Sequence, residues 1–415
     1  MEKILESKDI LKAYENIKDI IRKTPLEFNK RLSEKYSANI YIKREDLQEV
    51  RSYKIRGAYN LISSLSEEEK RRGVVCASAG NHAQGFAYSC SLLKIKGVVF
   101  MPEVTPKQKI NKVRTFGGSF IEIKLIGKTF DESFVKAKEY CGKQDMVLVH
   151  PFDDNRTIAG QGTVAVEILN ELNNVNFIIC PIGGGGLISG VSTYGKFINS
   201  NIKIIGVDPL GAAKMDNAIK NGAPIILDKI DTFIDGAAVR KAGDLTYKII
   251  SEKVDQIVLA PEGKVCTTMI ELYQNDGIIA EPAGAMSICA LDLVKEEIKG
   301  KTVVCILSGG NNDISRYPEI MERSLRYEGL KHYFIIEFTQ TPGELKRFVE
   351  NALNSDDDIT RFEYIKKTNK ESGPALVGIE LSKKENYELL LKRMDSLGIK
   401  YQEITEDSIL YTFLV

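Results

Sequence analysis

Four consecutive glycines, Gly183, Gly184, Gly185 and Gly186, precede Leu187 and follow the apolar run Phe177–Ile182. This order predicts a buried strand, a turn and a helix. Because glycine lacks Cβ and tolerates positive φ, such a turn lets the backbone approach a ligand, and the N–H groups opening the helix suit an anion, phosphate above all. A turn that only packs is the alternative, but consecutive glycines cost too much backbone entropy for packing alone. The turn matches neither GxGxxG nor GxxxxGK[ST], which disfavours a dinucleotide-binding site and a nucleotide-binding P-loop.

Lys54 lies in the second motif, Ser52-Tyr53-Lys54-Ile55-Arg56-Gly57. In isolation this is an ordinary basic stretch, and a lone lysine usually faces solvent. A lysine forms a Schiff base with pyridoxal phosphate (PLP) only where that aldehyde phosphate is held beside it. The candidate phosphate turn elsewhere in the chain therefore makes Lys54 a candidate catalytic residue.

A third motif, Ser78-Ala79-Gly80-Asn81-His82, follows a predicted strand and opens a predicted helix. Backbone N–H groups with hydroxyl and amide donors suit a carboxylate. His82 is one of three histidines. It could make a polar contact with the substrate or the cofactor, or it could be a helix-start residue that is hydrogen-bonded locally. The motif is thus a candidate substrate-binding loop.

Two further motifs leave alternatives open. Ser308, in Ser308-Gly309-Gly310-Asn311, can donate a hydrogen bond to a neutral pyridine nitrogen, or the segment is simply a strand-to-helix turn. Glu281, in Ala280-Glu281-Pro282-Ala283-Gly284-Ala285, can lie over a ring edge, or can cap a helix opened by Pro282.

The elements that must position these motifs follow a regular order. Short apolar runs alternate with amphipathic stretches over the first 320 residues, which predicts an α/β fold with mostly parallel sheets covered on both faces. In such sheets ligands bind at the carboxyl ends of strands, where the glycine-rich turns occur.

The pattern changes after about residue 320. A charged helix at Met321–Arg326 precedes strands near 332–338, 359–365 and 375–381 and helices near 342–353 and 387–397. Two short runs, near Lys400–Ile404 and Ile409–Val415, close the chain. This is a βαββαβ order, typical of a ferredoxin-like domain.

Composition excludes several classes of function. Lys plus Arg and Asp plus Glu are both 57 in a chain of 415 residues, which gives no global reason to bind nucleic acid or an anionic membrane. Neither a signal peptide nor a run long enough to span a membrane is evident, so we expect a cytoplasmic protein. Seven cysteines without a CxxC pair predict neither disulfides nor zinc. We expect no metal site.

Taken together and in this order, the motifs resemble those of the fold-type II PLP lyases, and most closely the biosynthetic threonine dehydratases (threonine ammonia-lyases). Lys43-Arg44-Glu45-Asp46-Leu47-Gln48 adds to this match, and Phe338–Leu345 is similar to the ACT-like regulatory domain of those enzymes. Only one such domain fits, so the chain resembles the short form. The resemblance covers essentially the whole chain.

The resemblance implies two open, mostly parallel twisted sheets, as in tryptophan synthase β, followed by an α+β ACT-like domain. It also implies domain bounds: a large PLP-binding domain at 1–45 and 146–320, a small catalytic domain at 46–145, a linker at 321–330 and the ACT-like domain at 331–415.

The same resemblance implies residue roles. Lys54 would be the Schiff-base lysine and later the base at the substrate α-carbon, with Ser308 at the pyridine nitrogen as the other catalytic residue. The cofactor would also contact Asn81 at its 3′-oxygen, Glu281 and, through its phosphate, Gly183 to Leu187. The substrate would be bound by Ser78, Ala79, Gly80, Asn81 and His82.

The implied activity is deamination of L-threonine to 2-oxobutanoate and ammonia by β-elimination of water, the first step of isoleucine biosynthesis, with inhibition by isoleucine. A homo-oligomer is expected, a tetramer first and a dimer second. Alternatives are serine dehydratase, serine racemase and threonine synthase. A non-enzymatic alternative is an amino-acid sensor on an inactive PLP scaffold. Another alternative, which the α/β fold alone would allow, is a dinucleotide-dependent oxidoreductase.

Overall fold

The computed structural model describes residues 5–366, 370–405 and 408–414. The chain divides into two compact units, Met1–Asn312 and Asp313–Val415.

The first unit alternates strands and helices. Its strands are β1 (Leu26–Phe28), β2 (Asn39–Arg44), β3 (Val74–Ala77), β4 (Gly97–Met101), β5 (Ile121–Leu125), β6 (Val147–Leu148), β7 (Phe177–Pro181), β8 (Lys203–Pro209), β9 (Gln256–Ala260) and β10 (Thr302–Leu307). Its helices are α1 (Ser7–Ile17), α2 (Lys30–Tyr36), α3 (Lys54–Ser63), α4 (Glu67–Arg72), α5 (Asn81–Leu93), α6 (Lys107–Gly117), α7 (Phe130–Lys143), α8 (Asn155–Glu171), α9 (Gly186–Ile198), α10 (Lys214–Asn221), α11 (Asp244–Lys253), α12 (Glu262–Asp276), α13 (Pro282–Cys289) and α14 (Lys295–Ile298). Short 3₁₀ turns lie at Glu45–Leu47, Gly118–Phe120, Leu210–Ala212 and Ala290–Asp292.

These strands form two separate sheets. The larger has the order β1-β2-β10-β7-β8-β9 and is parallel except for β1, which runs antiparallel to β2. The smaller, β5-β4-β3-β6, is entirely parallel. The fold class predicted from the alternating pattern is confirmed.

Burial explains why the central strands are continuous apolar runs. Every residue of β3, β4, β7 and β10 is buried, as expected of parallel strands covered by helices on both faces. Because β10 lies beside β7, the turns that follow these two strands, at Ser308 and at Gly183, emerge at the same edge of the sheet.

The second unit begins with a 3₁₀ turn at Ile314–Arg316. It continues with α15 (Tyr317–Tyr327), β11 (Lys331–Thr339), α16 (Glu344–Ala352), β12 (Asp358–Tyr364), β13 (Ser372–Glu380), α17 (Asn386–Ser396), β14 (Lys400–Glu403) and a 3₁₀ helix at Ile409–Phe413. Its sheet is antiparallel, in the order β12-β13-β11-β14. The core of this unit includes Phe334, Phe348 and Leu390.

The predicted βαββαβ order is confirmed from β11 to β14. The last apolar run differs, because Ile409–Phe413 is a 3₁₀ helix and Val415 lies outside the described residues. At its start the Ser408 hydroxyl accepts a hydrogen bond from the Leu410 N–H at 3.3 Å. Such local side-chain bonds compete with strand pairing.

Among the described residues, no helix is both long enough and apolar enough to cross a membrane.

Candidate active site

The glycine turn has the geometry of an anion site. Gly185 has φ +96° and directly precedes α9. Within the described part of the chain, the N–H groups of Gly183, Gly184 and Gly185 meet no acceptor. A Cβ on Gly184 would lie 2.2 Å from the Phe152 ring, so a side chain there has no room. Free N–H groups at a helix N-terminus fit a phosphate group.

Lys54 is the first residue of α3 and is half-buried. Its Nζ donates a hydrogen bond to the carbonyl oxygen of Pro151 at 3.0 Å. Burial lowers the pKa of the Lys54 amine to about 8, although the nearby Glu281 carboxyl opposes that change. Lys54 therefore loses its proton more readily than an ordinary lysine and can act as a nucleophile or base.

The segment Pro151–Phe152 joins these two features. The Pro151 carbonyl holds the Lys54 amine, while the adjacent Phe152 packs against the positions of Gly184 and Gly186. The structure thus brings Lys54 and the glycine turn together. Sequence reasoning missed this segment, although its place just after β6, at the carboxyl end of a parallel strand, was an available signal.

The Ser308 turn contacts the lysine motif directly. The Tyr53 N–H donates to the Ser308 carbonyl at 3.1 Å, and Ser52 pairs with Gly309 across an antiparallel bridge. The Ser308 hydroxyl is buried and donates to the Ala283 carbonyl at 3.4 Å. Its assignment to a pyridine nitrogen stays a prediction.

Asn81 and Glu281 also meet here, beside Asn311. The Asn81 amide donates to Glu281 Oε1 at 2.6 Å, and the Asn311 amide donates to Asn81 Oδ1 at 2.8 Å. Burial, and next the charge of Asp235, raise the pKa of Glu281 to about 7, while the bond from Asn81 opposes this. Glu281 occupies the N-cap position of α13, but its side chain makes no capping hydrogen bond. The structure therefore does not show Glu281 as a helix cap, and its place over a ring edge stays a prediction.

The segment Ser78–His82 leads into α5 and has open space beside Gly80. A Cβ on Gly80 would meet no atom within 4 Å, and Ser78, Ala79 and Gly80 are half-buried. His82 is buried, and its Nε2 lies 3.0 Å from the Val149 carbonyl, which sets Nε2 as the protonated atom. Burial, and next the charge of Lys54, lower its pKa to about 3, so the imidazole is neutral. Its Nδ1 has no partner among the described residues.

The remaining predicted residue, Leu187, is buried in the first turn of α9. Sequence reasoning missed two residues beside the turn: the Thr246 hydroxyl donates to the Gly184 carbonyl at 2.7 Å, and the Gly236 carbonyl leaves little room for a side chain at Gly183, since it lies 3.2 Å from the Cβ position there. Nothing in the local sequence marks either residue. Within the described ranges, no group of His, Cys, Asp and Glu side chains could hold a metal ion.

Comparison with known proteins agrees with this geometry. The family model of the pyridoxal-phosphate dependent enzymes matches residues 17–309. The family model of the C-terminal regulatory domain of threonine dehydratase matches residues 322–414. The chain is 54% identical to L-threonine dehydratase biosynthetic IlvA of Halalkalibacterium halodurans over 412 residues, 99% of each protein.

Solved structures with a similar fold cover about three quarters of the chain. Threonine deaminase isoform 2 from Solanum lycopersicum, in its processed form, has a TM-score of 0.73 and 39% identity over 78% of this chain and 96% of that one. Serine racemase from Dictyostelium discoideum has a TM-score of 0.70 and 35% identity over 75% of this chain and 99% of that one.

Proposed function

The chain belongs to the pyridoxal-phosphate-dependent enzymes and, within them, to the biosynthetic threonine dehydratases, and from this premise we propose that it converts L-threonine to 2-oxobutanoate and ammonia in isoleucine biosynthesis. It is a lyase with PLP as its cofactor. The observation that carries the proposal is the convergence of the Lys54 amine and the glycine turn on Pro151–Phe152.

The residues of the site fit this cofactor. The unpaired N–H groups of the turn suit its phosphate, and the half-buried amine of Lys54 suits its aldehyde. When bound, PLP supplies a conjugated system that accepts negative charge from the substrate α-carbon. The buried Ser308 hydroxyl is our candidate partner for the ring nitrogen, and Asn81 for the ring oxygen.

The chain itself would position the substrate and move its proton. We assign the carboxylate of threonine to the loop Ser78–His82, because its hydroxyl, amide and N–H groups suit a carboxylate and open space lies beside Gly80. The Lys54 Nζ, free once threonine is bound, would take the proton from the α-carbon. Holding base and substrate together replaces a bimolecular collision with a local transfer.

The second unit supports a proposal about regulation. Residues 322–414 match the regulatory domain of threonine dehydratase, and we propose that isoleucine is the inhibitor that acts through it. The biosynthetic relatives support a cytoplasmic enzyme. We propose a homotetramer, with a dimer as the second choice.

The domain bounds also remain a proposal. The strands β3 to β6 of the smaller sheet lie almost entirely within 46–145, which supports a small catalytic domain there between the parts 1–45 and 146–320 of the large domain. The segment 321–330, proposed as a linker before 331–415, is mostly helical because α15 extends to Tyr327.

Replacing the proposed Schiff-base lysine tests the function. We expect Lys54→Ala to abolish the visible absorbance band of the holoenzyme and nearly all formation of 2-oxobutanoate from threonine. Lys30→Ala, on the exposed face of α2, is the control and should retain both. Retention of absorbance and turnover by Lys54→Ala would remove Lys54 from the mechanism.

Serine racemase is the second candidate because its solved structure is similar to most of this chain. The methyl group that distinguishes threonine from serine contributes only about 1–3 kcal/mol to selection in an apolar pocket. We therefore expect some serine deamination as well. Racemisation of serine faster than deamination of threonine would favour the racemase.

A further inference from the structure

Lys214 and Asp208 form a buried ion pair behind the glycine turn. Both side chains are fully buried, and the Lys214 ammonium contacts Asp208 Oδ1. The other carboxylate oxygen accepts hydrogen bonds from the N–H groups of Met215 at 2.8 Å and Asp216 at 3.2 Å, in the first turn of α10. The orientation of the pair is therefore fixed, with the carboxylate held by α10.

The ammonium end holds the residue that precedes the turn. Lys214 Nζ donates to the carbonyl oxygen of Ile182 at 2.6 Å, and the Ile182 N–H donates to the Val207 carbonyl at 2.8 Å. Both backbone groups of Ile182 are thus held by β8 and α10. The glycine turn begins at the next residue, Gly183.

The peptide plane transmits this contact into the turn. The carbonyl of Ile182 and the N–H of Gly183 belong to one planar peptide unit, in which the two groups point in opposite directions. A cation on the carbonyl therefore orients the Gly183 N–H away from Lys214 and polarises it as a donor. That N–H has no acceptor in the described part of the chain.

Stability alone does not explain a buried pair of this kind. Removing two charges from water costs free energy that their attraction often fails to recover. Burial lowers the pKa of Lys214 and raises that of Asp208, because a buried side chain loses the water that would solvate its charged form. A role in positioning gives a reason for keeping them.

We propose that Lys214, held by Asp208, is a positioning residue for the anion site: it fixes the Ile182–Gly183 peptide so that the Gly183 N–H donates to the cofactor phosphate. The inference rests on the proposed placement of that phosphate at the glycine turn. Lys214 acts through Ile182 and need not touch cofactor or substrate.

The test compares PLP with pyridoxal, which lacks the phosphate. Apo-protein of the full chain is titrated with each compound, and the ratio of the two dissociation constants measures the contribution of the phosphate. We expect Lys214→Met to reduce the preference for PLP by about tenfold or more, the loss that one hydrogen bond to a charged group represents. Pyridoxal binding should change little.

Lys43→Met is a matched control. Lys43 is also fully buried, and its Nζ donates to the Thr24 carbonyl and to Glu167 Oε2, each at 2.6 Å, but it makes no such contact with the glycine turn. Its loss should lower the free energy of unfolding, as for Lys214→Met, and leave the ratio of PLP to pyridoxal affinity unchanged. A merely structural role of Lys214 predicts the same result for both variants.

A second variant guards against misfolding. Lys214→Met combined with Asp208→Leu leaves no lone buried charge and removes the same contact with Ile182, so it should also reduce the preference for PLP. If folded Lys214 variants keep the wild-type ratio, the inference is overturned. If the wild-type protein itself shows no preference for PLP over pyridoxal, the placement of the phosphate at the glycine turn is wrong instead.

Discussion

Burial, rather than a neighbouring cation, prepares the Lys54 amine for chemistry. Its pKa falls to about 8 because the charged form is poorly solvated, while the Glu281 carboxyl opposes the fall. The amine is held by the Pro151 carbonyl, an acceptor that is kept at every pH. The protonation of a single amine should therefore govern how fast the site captures its cofactor.

The capture rate of PLP by apo-protein should rise as pH increases through about 8, because Lys54 is protonated below its pKa and only the neutral amine attacks an aldehyde. Glu281→Gln should move the midpoint to lower pH, since the carboxylate that favours the charged amine is gone. Stopped-flow absorbance would measure both profiles. A midpoint near 10.5, the ordinary value for lysine, would contradict this account.

The hydroxyl of Ser308 is the residue-scale feature that bears on reaction outcome. Ser308→Asp should increase exchange of the α-proton relative to 2-oxobutanoate formation, because an aspartate would keep the ring nitrogen protonated and the ring would then draw negative charge away from the α-carbon. Solvent deuterium incorporation into recovered threonine measures this ratio. Ser308→Ala keeps the surroundings of the nitrogen neutral and serves as the control. An unchanged ratio in Ser308→Asp would refute the neutral-nitrogen account.

At the scale of elements, α8 packs backbone to backbone against the two helices that carry the chemistry. A Cβ on Gly160 would lie 2.5 Å from the Arg56 carbonyl of α3. A Cβ on Gly190, in α9, would lie 2.5 Å from Gly162 N and Ile158 O of α8. Because α3 begins at Lys54 and α9 begins at the glycine turn, α8 sets the separation of amine and anion site.

Gly190→Ala should therefore separate α9 from α8. We expect a loss of about 1–3 kcal/mol in the free energy of unfolding, as for overpacking, together with weaker binding of PLP. Gly142→Ala, in the last turn of α7, is the control: no atom beyond its own helix backbone lies within 4 Å of its Cβ position, so the change should not lower the free energy of unfolding. Urea unfolding measures both. Equal stability of the two variants would contradict the proposed role of the helix contact.

The motif Lys43–Gln48 also has a physical role at this scale. The Arg56 guanidinium, in α3, donates to the carboxylates of Glu45 and Glu167, and Lys43 pairs with Glu167 as well. All of these side chains are buried. The network ties α3 to β2 and α8, so it supports the helix that presents Lys54.

At the scale of the whole molecule, we propose that the second unit carries regulation and the first unit carries catalysis. Deleting residues 330–415 should leave threonine turnover and abolish inhibition by isoleucine, because an effector acts only through a site that binds one state of the protein better than the other. Turnover at rising isoleucine concentration, with and without the deletion, measures this. A full-length enzyme that ignores isoleucine would show that the domain is structural or binds another ligand.

The sequence by itself determined the α/β order, the βαββαβ order and the identity of the candidate turns, because each rests on local periodicity or on glycine at a strand end. Only the tertiary structure decided which partners complete the site. Lys54 finds its acceptor 97 residues away at Pro151, and Asn81 finds Glu281 200 residues away. The same holds for Lys214, whose sequence neighbours give no sign that its ammonium is buried against Ile182. A local pattern specifies the element that carries a side chain, but polar partners are selected by packing between elements, which a single sequence does not display.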